Sequence, residues 1–173
     1  MVIDLSDVAE FETQYIKKEG VFLLEVKKVI TDGVGSDFDE DDEHKEKPKI
    51  KIEMEGFELV KGDDGKFKKD ESVLYTAPET FSTTKKWLWA FKKLTNAMHE
   101  DKETIPPSFD INQLTGRFVI GISKQSKKDD RYFNIIDWKY SQANRDKPLL
   151  TKSEPQIDTD APAIEVDDQS IPF

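Results

Sequence analysis

The feature of this sequence that most constrains the fold is the alternation of apolar and charged residues over 48–60, PKIKIEMEGFELV. Ile50, Ile52 and Met54 alternate there with lysine and glutamate. Because successive side chains of a β-strand point to opposite faces of the sheet, this period of two predicts a strand buried on one face only. Such a strand needs a larger sheet, so neighbouring segments must pair with it.

Four further segments have strand-like patterns. GVFLLEVKKVI at 20–30 is dense in aliphatic and β-branched residues and is followed by the turn-like TDGVGS. SVLYTA at 72–77 is joined to 48–60 by KGDDGKFKKD, whose glycines and aspartates favour a hairpin turn. Two more strands are predicted at 116–125 and 131–140, on either side of the polar turn SKKDD. We expect the first three strands to be antiparallel neighbours.

Residues 80–100, TFSTTKKWLWAFKKLTNAMHE, have helical rather than strand-like spacing. Trp87, Phe91, Leu94 and Met98 recur at the intervals of one helix face, and the serine and threonines near the start can supply an N-cap. The pattern predicts a helix whose apolar stripe lies across the core.

The predicted order is β-β-β-α-β-β, with a short helix over 4–17 in front. Five short strands with a helix between the third and the fourth are the layout of an OB-fold, a Greek-key barrel that often binds oligonucleotides. We therefore predict a mainly β, OB-fold-like single-stranded DNA-binding domain over 1–140, with an acidic flexible loop at 32–47. The proline-rich, acidic segment 141–173 has no apolar periodicity and is predicted to be a disordered tail.

The net charge of −10 is unevenly distributed along the chain. The segments 32–47 and 141–173 contribute −6 and −4, which together account for all of it. The predicted folded body is therefore neutral overall and can carry a basic face, so the acidic total does not exclude a nucleic-acid partner.

Other classes of protein have little support. The chain has no cysteine, no basic-flanked apolar N-terminus and no apolar run of membrane-spanning length, which favours a cytoplasmic protein with no membrane partner. His44 and His99 lack an evident catalytic partner, so we expect no enzyme and no cofactor. The run DFDEDDE at 37–43 lacks the spacing of a calcium loop, and a solvated charged loop is the favoured interpretation over a metal site.

Trp89 is the strongest single indication of nucleic-acid binding. On a helix it lies about 160° from the apolar stripe, and lysines surround it. Either it stacks on a base or contacts a protein, or a loop covers it, or it is an isolated exposed residue of the ordinary kind. On 131–140, the face with Trp138 and Tyr140 and the face with Phe133 cannot both be core, so base stacking and partial coverage both stay open for the first pair.

Aromatic rings among cations are what single-stranded DNA requires, since bases stack on the rings and phosphates pair with the cations. Lys49 and Lys51 are expected on the outward face of their strand, and other cations lie on the helix and the final hairpin. The predicted DNA-binding residues are Lys49, Lys51, Lys85, Trp89, Lys92, Lys93, Lys124, Lys127, Lys128, Arg131, Trp138 and Tyr140.

The last seven residues, DDQSIPF, follow the acidic, proline-rich segment. This tail resembles the single-stranded DNA-binding protein family of bacteria and their phages, whose tails end in an acidic cluster followed by Ile-Pro-Phe. Gln169 and Ser170 depart from the pattern, because further acids are common there. The matching residues, which the resemblance implies to be partner-binding, are Asp167, Asp168, Ile171, Pro172 and Phe173.

In the body, GVFLLEVKKV and LTGRFVIGISK followed by RYFNIIDW resemble the divergent phage-encoded members. The resemblance implies a non-enzymatic protein of DNA replication, recombination and repair in a bacterial or infected-host cytoplasm. Such a protein coats single-stranded DNA without strong sequence preference, and a homo-oligomer is compatible with it. Its tip would dock on a polymerase, helicase, primase or recombinase.

Two other functions stay open from the sequence. An acidic adaptor or DNA mimic would use the negative charge to bind basic protein surfaces. A phage nuclease would use aspartate and glutamate with Mg²⁺, although no patterned carboxylate cluster supports it.

Overall fold

The computed structural model describes residues 13–31, 49–83, 85 and 88–153 of the chain. In this part of the chain, six strands form one mixed sheet, and one α-helix packs against it. The elements are β1 (Thr13–Tyr15), β2 (Gly20–Ile30), β3 (Lys49–Lys61), β4 (Phe67–Ser82), α1 (Leu88–Ala97), β5 (Phe118–Gln125) and β6 (Phe133–Lys139). Short 3₁₀ helices lie at Lys102–Thr104, Ile111–Leu114 and Gln142–Asn144. None of the helices in these ranges is long and apolar enough to cross a membrane.

The strands lie in the order β1-β4-β3-β2-β5-β6. Only the pair β1–β4 is parallel, and every other pair is antiparallel. β2 is a central strand between β3 and β5, so the connection from β4 through α1 brings the chain back to the other side of β2. β1 and β6 form the two edges of the sheet.

The core lies between one face of this sheet and α1. Phe22, Leu24 and Val26 alternate along β2 and are fully buried, as expected from their period of two. Leu94 of α1 and Met98 just after it are also fully buried. Each side chain of this size stabilises the fold by roughly 1.5–3 kcal/mol through burial alone, so the helix is held chiefly by its apolar stripe.

The mainly β class is confirmed, and a strand lies in each of the five predicted segments, but the described part of the chain has six strands where five were predicted. Two local predictions are also wrong. Residues 80–82 belong to β4 and not to a helix, because Phe81 pairs with Ile50 of β3 and its ring packs 5.6 Å from that of Phe91. This pairing outweighs the local helical pattern. Residues 13–15 form β1, paired in parallel with β4, where a helix over 4–17 was predicted.

The folded body extends beyond residue 140, where the sequence predicts a disordered tail. The Asn144 side chain clamps the backbone of Phe118, donating to its carbonyl at 2.6 Å and accepting from its amide at 2.7 Å. Leu150 is buried, and Lys152 forms a β-bridge with Phe109. Non-periodic contacts of this kind leave no sequence pattern, which is why 141–153 was predicted wrongly. The acidic loop 32–47 and the residues after 153 lie outside the described residues.

Candidate nucleic-acid interface

A cleft of about 740 Å³ runs between α1 and the segment 102–111. Pro106 and Pro107 lie in this segment and cannot continue a helix, so the chain passes beside α1 in an irregular path. We call this site the helix cleft. The lining residues that bear on binding are Lys85, Leu88, Trp89, Lys92, Lys102 and Phe109.

Trp89 lies in the helix cleft with 59% of its surface exposed. Phe91 and Leu94 occupy the buried side of the same helix, so the helical period that buries them turns Trp89 outward. The predicted position of Trp89 away from the apolar stripe is therefore confirmed, and no loop among the described residues buries it. A ring in this position can stack on a base.

The charges around Trp89 have one sign. Lys85, Lys92 and Lys102 line the helix cleft and are exposed, whereas no aspartate or glutamate that the structure describes is among its lining residues. Lys85 and Lys92 were predicted from the sequence, whereas Lys102 and Phe109 were not, because nothing in the sequence of 102–111 indicates where that segment packs. The cleft thus combines an apolar floor with an uncompensated basic rim.

A second group of predicted residues meets at the β5–β6 hairpin. Two clefts, of about 530 and 710 Å³, adjoin there and share Asn134 as a lining residue. We call the two together the hairpin surface. Tyr15 and Tyr132, neither of them predicted, lie here with 63% and 61% of their surfaces exposed. The cations of this surface are Lys17, Lys124, Lys127, Lys128 and Arg131.

Carboxylates compensate several cations of the hairpin surface. Arg131 donates to both oxygens of Asp129, at 3.0 and 2.8 Å, which lowers the pKa of Asp129 and raises the pKa of Arg131. Lys124 lies 3.8 Å from Glu19. Lys127 and Lys128 form no ion pair within the described part of the chain.

Glu79 is a further carboxylate of the hairpin surface. It stands opposite Ile52 on β4, and burial raises its pKa to about 7. It therefore titrates near neutral pH, where an ordinary glutamate would be fully charged. Ionisation of Glu79 therefore adds a negative charge that would repel a phosphate bound in this region.

Three predicted lysines lie in neither region. Lys49 is only 3% exposed, so its predicted outward position is wrong. It is the first residue of β3 and faces Ser82, where β4 ends, and strand alternation does not describe burial at such an end. Lys51 pairs with Glu53 at 3.5 Å, and Lys93 pairs with Asp137 at 3.1 Å, lowering the pKa of that carboxyl.

Trp138 packs against the core, which does not fit an open stacking position. A bulge between Ile122 and Ser123 leaves Ile136 as the extra residue of β6, so both Ile135 and Trp138 reach the core. Gly121 stands opposite Trp138, and a Cβ there would lie 3.2 Å from the indole ring. The bulge reverses the alternation, and sequence periodicity could not predict that.

Tyr140 lines a small cavity of about 210 Å³ that lies apart from both regions. Across the described ranges, no group of three or more histidine, aspartate and glutamate side chains could hold a metal ion. Asp167, Asp168, Ile171, Pro172 and Phe173 lie outside the described residues.

Compared with known proteins, the chain matches no family model, no curated protein and no solved structure.

Proposed function

We propose that the protein binds single-stranded DNA, with a base stacked on Trp89 in the helix cleft. The observation that carries the proposal is a tryptophan 59% exposed in a cleft where, among the described residues, the charged lining side chains are all lysines. Stacking of one base on such a ring contributes roughly 1–3 kcal/mol and tolerates every base. Lys85, Lys92 and Lys102 can follow the phosphates on either side.

The hairpin surface is proposed as a second contact along the strand. β2, β3 and β4 are consecutive antiparallel neighbours and β5 returns beside β2, which is the strand order of a Greek key. With α1 between β4 and β5, this order supports an OB-type barrel as the finer description of the fold. In that fold the loop before the last strand takes part in oligonucleotide binding, and the loop corresponds here to the β5–β6 hairpin.

The proposal is tested by titrating poly-dT into the full chain while tryptophan fluorescence is followed at two salt concentrations. Stacking on Trp89 should quench the fluorescence, and the affinity should fall as salt rises. Trp89→Phe should remove most of the quenching, whereas Trp138→Phe, a change in the core, should leave it. Absence of both quenching and salt dependence would contradict the proposal and favour the acidic adaptor instead.

The tail is proposed to recruit replication and repair proteins. Phe173 and Ile171 offer apolar side chains to a partner pocket, and Pro172 lowers the cost of ordering the segment. Deleting residues 171–173 should abolish capture of such a partner and leave the poly-dT affinity unchanged or slightly higher. A pull-down and a parallel titration check the two effects. A clear loss of DNA affinity after the deletion would assign the tip to DNA binding.

A further inference from the structure

Arg117 is a buried cation with no ion-pair partner within the described part of the chain. Only 5% of its surface is exposed, and burial lowers its pKa. Its guanidinium donates through Nε to the carbonyl of Gln113 at 3.4 Å and through Nη2 to the carbonyl of Pro148. A guanidinium has five N–H groups. The two bonds to backbone carbonyls use two of them, so the other N–H groups can donate to a ligand. Buried arginines are almost always paired with an anion.

His99 is a second buried group with unused hydrogen-bonding capacity. It is 6% exposed, and its Nδ1 lies 2.7 Å from the carbonyl oxygen of Thr95. Since a carbonyl only accepts, Nδ1 carries the proton, and Nε2 of the neutral ring is an acceptor. Nε2 has no partner among the described residues and no surface open to solvent, so a ligand in a neighbouring cavity reaches it only when the surrounding side chains shift. Burial lowers the pKa of His99, and the charge of Arg117 lowers it further.

Both groups line the same cavity of about 210 Å³, which we call the arginine cavity. It lies where the end of α1, the start of β5 and the segment after β6 meet. Its other titratable or charged lining residues are Tyr140, Arg145, Lys147, Glu100 and Asp101. The carboxylate of Asp101 already accepts from the backbone N–H of Glu103 at 2.9 Å. The wall therefore carries more positive than negative charge.

We propose that the arginine cavity binds a phosphate group, either as inorganic phosphate or as the terminal phosphate of a nucleotide or oligonucleotide. Arg117 would donate to the phosphate oxygens in the planar geometry that favours guanidinium–phosphate pairs. The cavity is smaller than the roughly 300–1,000 Å³ of sites for drug-sized molecules, so the phosphate enters and any nucleoside stays outside. This site does not depend on single-stranded DNA binding in the other two regions.

Binding of a phosphate oxygen to His99 Nε2 requires a proton. A hydrogen bond between Nε2 and a phosphate oxygen contains one proton, supplied either by the P–OH of the monoanion or by the protonated imidazole. The second pKa of a phosphate ester is about 6, and that of His99 is lowered. Above both values a proton must be taken up on binding, so the affinity should fall by up to about tenfold per pH unit.

The test is calorimetric titration of the full chain with sodium phosphate at pH 6 and pH 8, with NMR detection of the histidine ring nitrogens. We expect saturable binding that is severalfold tighter at pH 6, together with a shift of the His99 Nε2 resonance. His99→Gln should weaken binding about tenfold and flatten the pH dependence. Arg145 is exposed, so Arg145→Gln should fold normally and weaken binding severalfold.

Lys68→Gln is the charge-matched control, because Lys68 is exposed on β4 and lines none of the clefts described above. It should leave phosphate binding unchanged. No saturable binding, equal binding of acetate and phosphate, or equal affinity in His99→Gln and the parent chain would each overturn the proposal.

Oligo-dT with a 5′-phosphate, compared with its 5′-hydroxyl form, identifies the source of the phosphate. Tighter binding of the phosphorylated form that is lost in His99→Gln assigns the site to nucleic-acid ends. Equal binding of the two forms, with saturable inorganic phosphate, assigns it to free phosphate. The 5′-hydroxyl form reports DNA binding by itself, so failure of the proposed function is seen separately.

Discussion

The helix cleft and the hairpin surface contain similar residue types but differ in their carboxylates. Each combines several lysines with exposed aromatic side chains, Trp89 in the helix cleft and Tyr15 and Tyr132 on the hairpin surface. In the described part of the chain, no carboxylate lines the helix cleft, whereas Glu19 and Glu79 line the hairpin surface and Asp129 binds its Arg131. A phosphate therefore meets an uncompensated basic rim in one region and partly neutralised cations in the other. The number of cations alone does not define a nucleic-acid surface.

This difference predicts a ranking of the two regions. Arg131 would have to give up or share its two bonds to Asp129 before it could bind a phosphate in the same geometry. Among the described residues, no carboxylate pairs with Lys127 or Lys128. We expect the helix cleft to supply most of the affinity and the hairpin surface to supply a smaller share.

The largest effect is expected from Trp89→Ala. Loss of one stacked base should weaken poly-dT binding about tenfold to a hundredfold, whereas Tyr132→Ala, the matched change on the hairpin surface, should cost less. Both side chains are exposed, so circular dichroism should show both variants folded. Filter binding at a fixed salt concentration measures the poly-dT affinity of each variant. A larger loss for Tyr132→Ala would reverse the comparison.

A smaller effect is expected from neutralising the lysines. Replacing Lys85, Lys92 and Lys102 with glutamine should reduce the slope of log K against log salt by about 2, since each single-strand phosphate contact contributes about 0.7. The same change at Lys124, Lys127 and Lys128 should reduce it by nearer to about 1, because Glu19 already compensates Lys124. Equal reductions of the slope in the two triple variants would mean that the carboxylates of the hairpin surface do not weaken its contacts with phosphate.

The smallest effect is expected from Glu79→Gln. Burial raises the pKa of Glu79 from 4.5 to about 7, so the folded chain retains a proton that the unfolded chain has lost between those values. Stability therefore falls as pH rises from about 4.5 to about 7, and the loss persists above that range. The side chain is partly exposed, which reduces the expected gain of the variant at pH 8 from an upper limit of about 3 to about 1 kcal/mol.

Urea denaturation at pH 4 and pH 8 measures this gain, which should vanish at pH 4. Glu71→Gln, on the exposed part of the same strand, is the control and should show no comparable gain at pH 8. Removal of this carboxylate should also raise the poly-dT affinity of the hairpin surface at pH 8. An equal effect of the substitution at pH 4 and pH 8 would show that the pKa of Glu79 is the same in the folded and the unfolded chain.

Individual elements show where sequence patterns succeed and fail. The pattern over 20–30 predicted β2 at its observed bounds, because alternation and residue type are properties of neighbouring positions. The same reasoning failed at Trp138, where a bulge opposite β5 reverses the alternation, and at 80–82, where pairing with β3 overrides helical spacing. Both failures come from contacts with distant parts of the chain.

By itself, the sequence determined the mainly β class, the strand segments and the outward position of Trp89, since each depends on local periodicity. Only the tertiary structure decided that Lys102 joins Lys85 beside Trp89, and that Glu19 lies 3.8 Å from Lys124. It also brought Arg117 and His99 into one buried cavity. The physical reason is that charge compensation and burial depend on which distant side chains meet, and no local pattern encodes that.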